Sequence, residues 1–265
     1  MTIAQRPSPN RTVLRNGRIP DMIVNHITEG AFPGTHDWIS PRPAETIAQY
    51  HARVPVASRV SYTFTISRRG EITQHVRIED TAWGNGTTTD GGNRCHTTSR
   101  IAEIRRRREN ANQYTISIGY EGRHSEKQGG LTPEQSNAAI WLHDHIRKEV
   151  QRIYGTEIPI SRKNIIGHVD VTPRHRPNCP GVNFPFEEII SALKKMEVME
   201  MVYRTVEEMP DWAQPGIQQL IDLRLLSGRS PGNLDVDENM MRTLLVVRNM
   251  FEHKGLLPAI ASSTL

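Results

Sequence analysis

Five short runs in the first part of the chain carry the apolar spacing of strands: MIVNH (22–26), VSYTFTI (60–66), ITQHVRI (72–78), TISIGY (115–120) and NIIGH (164–168). The second and third flank SRRGE, whose Gly70 suits a tight turn, so they read as a hairpin. One helix announces its own start. Thr132-Pro133-Glu134-Gln135 joins an N-cap, a proline at the first helical position and a capping-box glutamine. Ala139, Leu142, Ile146, Val150 and Ile153 then recur at helical spacing, a stripe that predicts packing on a sheet. A second helix is expected over 43–53, and a short one from Pro185 closes the domain near Leu193. The pattern predicts an α/β fold, a mixed central β-sheet flanked by helices.

Beyond it the pattern changes. Residues 194–202 (KKMEVMEMV) read as a linker, possible in helical form. Ile217, Leu220, Ile221 and Leu225 then lie on a helix ended by Gly228. Another starts near Asp235, with Glu238 in a capping box, and carries Met241, Leu244, Leu245 and Phe251. The expected organisation is a body over 1–193, a linker over 194–202 and a small all-α C-terminal module over 203–265.

Composition narrows the class. Hydrophobic residues make up 36% of the 265, mean hydropathy is −0.54, and no apolar run approaches the roughly 18 residues of a spanning helix. No membrane partner is expected. The N-terminal MTIAQRPSPNRTVLRNGRIP has no apolar core, so no secretory signal is expected. A protein acting outside the membrane would then need delivery by something other than the general export pathway. Two cysteines, Cys95 and Cys179, do not make a disulfide framework. Cys95, in a Gly/Thr-rich loop, has no evident partner and is expected to be incidental. The net charge of +4 is uneven: six Lys/Arg against nine Asp/Glu from residue 200 onward give −3, leaving +7 before it. A basic body suits an anionic polymer, but no aromatic–basic interleaving supports nucleic acid. The run Arg105–Arg108 reads as a solvated helix face.

Two strand-like runs end in histidine, IVNH at His26 and IIGH at His168, and a proline-rich loop, RHRPNCPG, can return Cys179 to the same edge. Two neutral imidazoles and a thiolate would hold Zn²⁺ with one position open. The spacing alone leaves two satisfied histidines and an inert cysteine as the alternative. In His143-Asp144-His145 the rings diverge on a helix, so that pair is not expected to bind metal.

The ordered blocks MIVNHITEG, SYTFTISRRGEITQHV, DTAWGNG, NQYTISIGYEG, LTPEQ, IIGHVDVTPRHRPNCPG and NFPF resemble the N-acetylmuramoyl-L-alanine amidase type 2 family over roughly residues 20–192. The resemblance implies one zinc ion on His26, His168 and Cys179. It also implies hydrolysis, by zinc-activated water, of the amide joining N-acetylmuramic acid to L-alanine of the peptidoglycan stem peptide. The expected role is that of a phage endolysin or a prophage or bacterial autolysin. The competing reading is a recognition module that binds peptidoglycan without cutting it.

The resemblance is imperfect in ways that matter. Many family members carry a general-base glutamate where this chain has Gly119. Another subgroup uses a tyrosine on the second strand, and Tyr62 stands at that position. Tyr62 is therefore expected to orient the water and donate to the oxyanion, although Val60, Tyr62, Phe64 and Ile66 also alternate as one apolar face. Glu121, two residues along from Gly119, is the fallback. A family lysine is replaced by Pro177, and Arg176 either substitutes for it or is an exposed loop residue. Trp83 and Asn85 resemble the family's groove wall, with a core role for Trp83 as the alternative. The C-terminal module resembles the short tail modules of Gram-positive phage amidases, which are taken to bind cell-wall polymer; packing or a homodimer is its other reading.

Overall fold

Branched apolar residues build the middle of one sheet, and in the computed structural model they do so over strands buried on both faces. The structure describes residues 1–85, 95–200, 202–228 and 233–258, with no side chain described at 95, 96, 199 and 200, so that of Cys95 lies outside it. Two units separate, Met1–Leu193 and Lys194–Leu265. In the first, strands β1 (Ile3–Gln5), β2 (Arg11–Thr12), β3 (Met22–Ile27), β4 (Phe64–Ile66), β5 (Ile72–Gln74), β6 (Thr81–Ala82), β7 (Thr115–Tyr120) and β8 (Ile165–Gly167) appear. Six form one sheet in the order β1-β5-β4-β7-β3-β8, while β2 and β6 pair separately. Strands β4, β7, β3 and β8 are parallel; β5 runs against β4, and β1 lies parallel to β5. The sheet is mixed, as the sequence predicts.

Helix α4 (Pro133–Tyr154) covers one face. Its Ala138, Ala139, Leu142, Ile146 and Val150 pack with Ile23, Ile27, Phe64, Ile66, Ile116 and Ile118. Its capping box is fully formed: Thr132 Oγ1 accepts from the Gln135 amide at 3.1 Å, and Gln135 Oε1 accepts from the Thr132 amide at 3.2 Å. Ile189, Ile190 and Leu193 of α6 (Phe186–Glu200) join the same core. The helix continues through 200, so the expected linker begins as helix. On the opposite face a smaller core gathers Met22, Val24, Ile104, Ala111, Tyr114, Ile166 and Val171. Helix α3 (Ala102–Arg107) gives it Ile104 and the one-turn α5 (His168–Val171) gives it Val171, while α1 (Gly34–Ile39) and α2 (Ile47–Arg53) lie between β3 and β4 in the chain. Helix α2 starts later than Pro43 because Thr46 supplies the cap. Its neighbour Ala44, at φ 64°, is not helical.

The run VSYTFTI is the instructive exception. Only Phe64–Ile66 is strand. The amides of His75 and Val76 both converge on the Thr63 carbonyl, at 2.9 and 3.4 Å. Two residues opposite one make a bulge on the His75–Val76 side, where the regular ladder ends. The Tyr62 ring packs against Gly119, which alternates along β7 with Ile118 and Tyr120 of the α4-side core, so Tyr62 does not continue the apolar face of Phe64 and Ile66.

The second unit has its own core of Tyr203, Met209, Ala213, Ile217, Leu220, Val236 and Met241. Helices α7 (Gln214–Asp222) and α8 (Glu238–His253) are each preceded by one strand of a short antiparallel pair, β9 (Val202–Tyr203) with β10 (Val236–Asp237). Helix α7 stops well short of Gly228: Arg224 has φ 58°, and Leu225 is exposed. The cap of α8 is Asp237, whose Oδ1 accepts from the Met240 amide at 2.7 Å. Among the described residues no helix is long and apolar enough to cross a membrane.

Candidate metal centre

Adjacent parallel strands bring the two strand-end histidines together. Asn25 of β3 is the register partner of Gly167 of β8, so His26 and His168 follow side by side, ring centroids 4.4 Å apart. The cysteine loop is pinned to the same edge by the Val169 amide, which donates to the Cys179 carbonyl at 2.7 Å. Gly167 permits this approach, since a Cβ there would meet Pro180 Cδ at 2.7 Å. One ligand atom from each of His26, His168 and Cys179 lies within 4.8 Å of the others, and Cys179 Sγ is 3.8 Å from His26 Nδ1.

Several observations fit a metal to this cluster. Zinc bonds of about 2.0–2.3 Å put tetrahedral ligand atoms roughly 3.5 Å apart, near the His26–Cys179 spacing. His168 Nε2 is buried without a hydrogen-bond partner, an expensive state for a polar atom unless a ligand satisfies it. Burial also keeps both rings neutral: it pushes His26 down to about 3 and His168 well below the usual histidine range. The nearby Arg176 charge adds to both shifts. Burial raises the Cys179 thiol to about 12, so its conversion to a ligating thiolate calls for a cation beside it. Two nitrogens and a sulfur are a zinc donor set.

Tyr62 stands against this cluster, its ring centroid 5.1 Å from that of His26. The ring lies in a slot between two glycines. A Cβ on Gly119 would come within 2.9 Å of Tyr62 Cδ2, and one on Gly84 within 3.3 Å of Cδ1. Tyr62 thus fills the space a side chain at 119 would need. Burial raises its phenol far above the ordinary tyrosine range, so at neutral pH it is a proton donor.

The other expected site residues divide. Glu121 is a brace: its Oε1 accepts from the Phe32 amide at 2.8 Å and its Oε2 from the Arg68 amide at 2.9 Å. Both oxygens hold loops. Arg176 is exposed, and its charge acts on His26, His168, Tyr62 and Cys179. Trp83 is partly exposed, with its indole N–H donating to Thr12 Oγ1 at 3.0 Å. Asn85, expected at a groove wall, is 1% exposed. It is buried behind His26, whose Nε2 lies 2.5 Å from Asn85 Oδ1.

Sequence reasoning missed what holds these groups. Asp170 Oδ2 accepts from the Gly167 amide at 2.8 Å and from Arg162 Nη2 at 2.9 Å, fixing the turn that carries His168. The DV after IIGH, an acidic residue at the third helical position, was the available signal. His143 Nδ1–H donates to the Ala139 carbonyl at 2.7 Å, while His145 stacks on Trp141, so the two rings do diverge.

The model of a family described as N-acetylmuramoyl-L-alanine amidase matches residues 16–182. A curated relative from Haemophilus influenzae, described as 1,6-anhydro-N-acetylmuramyl-L-alanine amidase AmpD, is 29% identical over 136 residues. That match spans 51% of this chain and 60% of the relative, so less than two thirds of the relative is covered. Among solved structures, a selenomethionine derivative of AmpD gives a TM-score of 0.49 at 19% identity, over 72% of this chain and 94% of that one. The amidase LysC from Clostridium intestinale gives 0.44 at 22% identity, over 73% and 98%.

Proposed function

Because the chain belongs to the N-acetylmuramoyl-L-alanine amidase family, we propose that it hydrolyses the amide between N-acetylmuramic acid and the L-alanine of the peptidoglycan stem peptide. The observation that carries this reading is the convergence of His26, His168 and Cys179, with Tyr62 beside them. When bound by these three residues, one zinc ion supplies Lewis acidity, which polarises an amide carbonyl and makes a water molecule more acidic.

The chain's own residues do the rest. His26 and His168, kept neutral by burial, offer lone pairs, and Cys179 offers sulfur. The Tyr62 phenol, protonated and held in its glycine slot, orients the attacking water and donates a hydrogen bond to the oxyanion developing on the carbonyl. Arg176, at the exposed rim, supplies positive charge to that oxyanion or to a stem-peptide carboxylate. Their separate positions divide the work between activation, stabilisation and binding. The role we assign is that of a phage endolysin or a prophage or bacterial autolysin, with the separate unit 194–265 assigned to a secondary cell-wall polymer.

Incubation of purified cell walls with the zinc-loaded protein should release new L-alanine amino termini. Wall binding without new termini would mean a recognition protein instead. Tyr62→Phe should lower turnover about a hundredfold, the usual loss for one oxyanion donor, with zinc content unchanged. A Tyr62→Phe protein of full activity would remove the tyrosine from the mechanism.

A further inference from the structure

Behind His26 runs a chain of hydrogen bonds whose direction can be worked out atom by atom. Thr115 Oγ1 lies 2.6 Å from the Ala111 carbonyl, which can only accept, so the hydroxyl proton is committed there. The same oxygen is 2.6 Å from the Asn85 amide nitrogen and must therefore accept from it. That turns the Asn85 amide oxygen toward His26, whose Nε2 is 2.5 Å away. An oxygen in that position requires the imidazole proton on Nε2. The lone pair is then on Nδ1, the atom that faces Cys179 Sγ at 3.8 Å. The Asn85 backbone is fixed as well, its N–H donating to Asn112 Oδ1 at 2.6 Å. Asn85 is 1% exposed, so this chain of bonds lies inside the protein.

We propose that Asn85 is a positioning residue that holds His26 in the Nε2–H tautomer and so presents Nδ1 to the metal. The proposal rests on the metal-binding reading of the His26–His168–Cys179 cluster. Metal-binding histidines depend on the partner of their second nitrogen, and loss of such a partner typically costs 10–100-fold in metal affinity. Asn85 contributes no charge here. It contributes the direction of one hydrogen bond, set from Ala111 through Thr115.

Two measurements on the full chain test this. Nitrogen-15 spectra of the metal-free protein report which nitrogen of His26 carries the proton; protonation on Nε2, with that proton protected from exchange, is expected. Competition titration with a zinc chelator reports affinity for zinc alone. Asn85→Leu should lose the protected Nε2 proton and bind zinc about 10–100-fold more weakly. Asn85→Asp, which keeps an oxygen acceptor at the same place, should retain both within a few-fold. A wild-type His26 protonated on Nδ1 would overturn the proposal, as would Asn85→Leu binding zinc as tightly as wild type. Should Asn85→Leu fail to fold, the wild-type spectrum and the Asn85→Asp affinity still decide. A wild-type chain that binds no zinc, whatever its tautomer, would overturn the metal reading itself.

Discussion

Tyr62 and Gly119 are a single device made from two residues. The ring sits where a Cβ on 119 would stand, and Gly84 guards its other edge. Gly119→Ala should therefore harm the centre although glycine brings no chemistry: the added methyl, 2.9 Å from Cδ2, forces the ring away from His26. A shift near 1 Å in a catalytic group can cost about a hundredfold, and a loss of tenfold or more is expected in the amino-terminus assay. Zinc content should stay at the wild-type level. Full activity in Gly119→Ala would mean the slot does not position the tyrosine.

At the scale of elements, stability is concentrated where local signals and tertiary contacts agree. The Thr132 hydroxyl caps α4 and also donates to the Arg68 carbonyl at 2.8 Å, tying the helix start to the hairpin turn. Thr132→Ala should cost about 1 kcal/mol, seen as a fall of about 2–4 °C in the thermal midpoint for a domain of this size. Thr132→Ser should restore most of it. These caps were legible in the sequence because they need only three or four consecutive residues. So was β7, whose bounds match the run TISIGY residue for residue. The bulge opposite Thr63 was not: a break in alternation depends on which strand lies alongside, and VSYTFTI gives no local mark of it. The partnership of His26 with Asn85 was hidden for the same reason, since it joins residues far apart whose spacing follows no period. His26, His168 and Cys179 stood out by chemical type, but only the sheet order β7-β3-β8 explains why they meet.

The whole molecule carries a pH dependence that does not involve the metal ligands. Burial pushes His143 down to about 4 and His75 to about 3, so both stay neutral in the fold. In the unfolded chain they take up protons below about pH 6.5. Between that value and about 4 the unfolded state binds more protons than the native state, so stability falls as the pH is lowered through this range. Thermal melts from pH 7 to pH 4 should show a declining midpoint. The decline should be shallower in His143→Gln, and an equal slope would show that His143 is not the source.

The order of the ligands along the chain has its own consequence for synthesis. His26 leaves the ribosome early, on a strand whose two neighbours in the sheet, β7 and β8, are encoded far downstream. Cys179 comes later still. A growing chain holds no complete centre until the segment beyond Cys179 has emerged and β8 has docked beside β3. Any product truncated before that point lacks Cys179 and with it the complete ligand set.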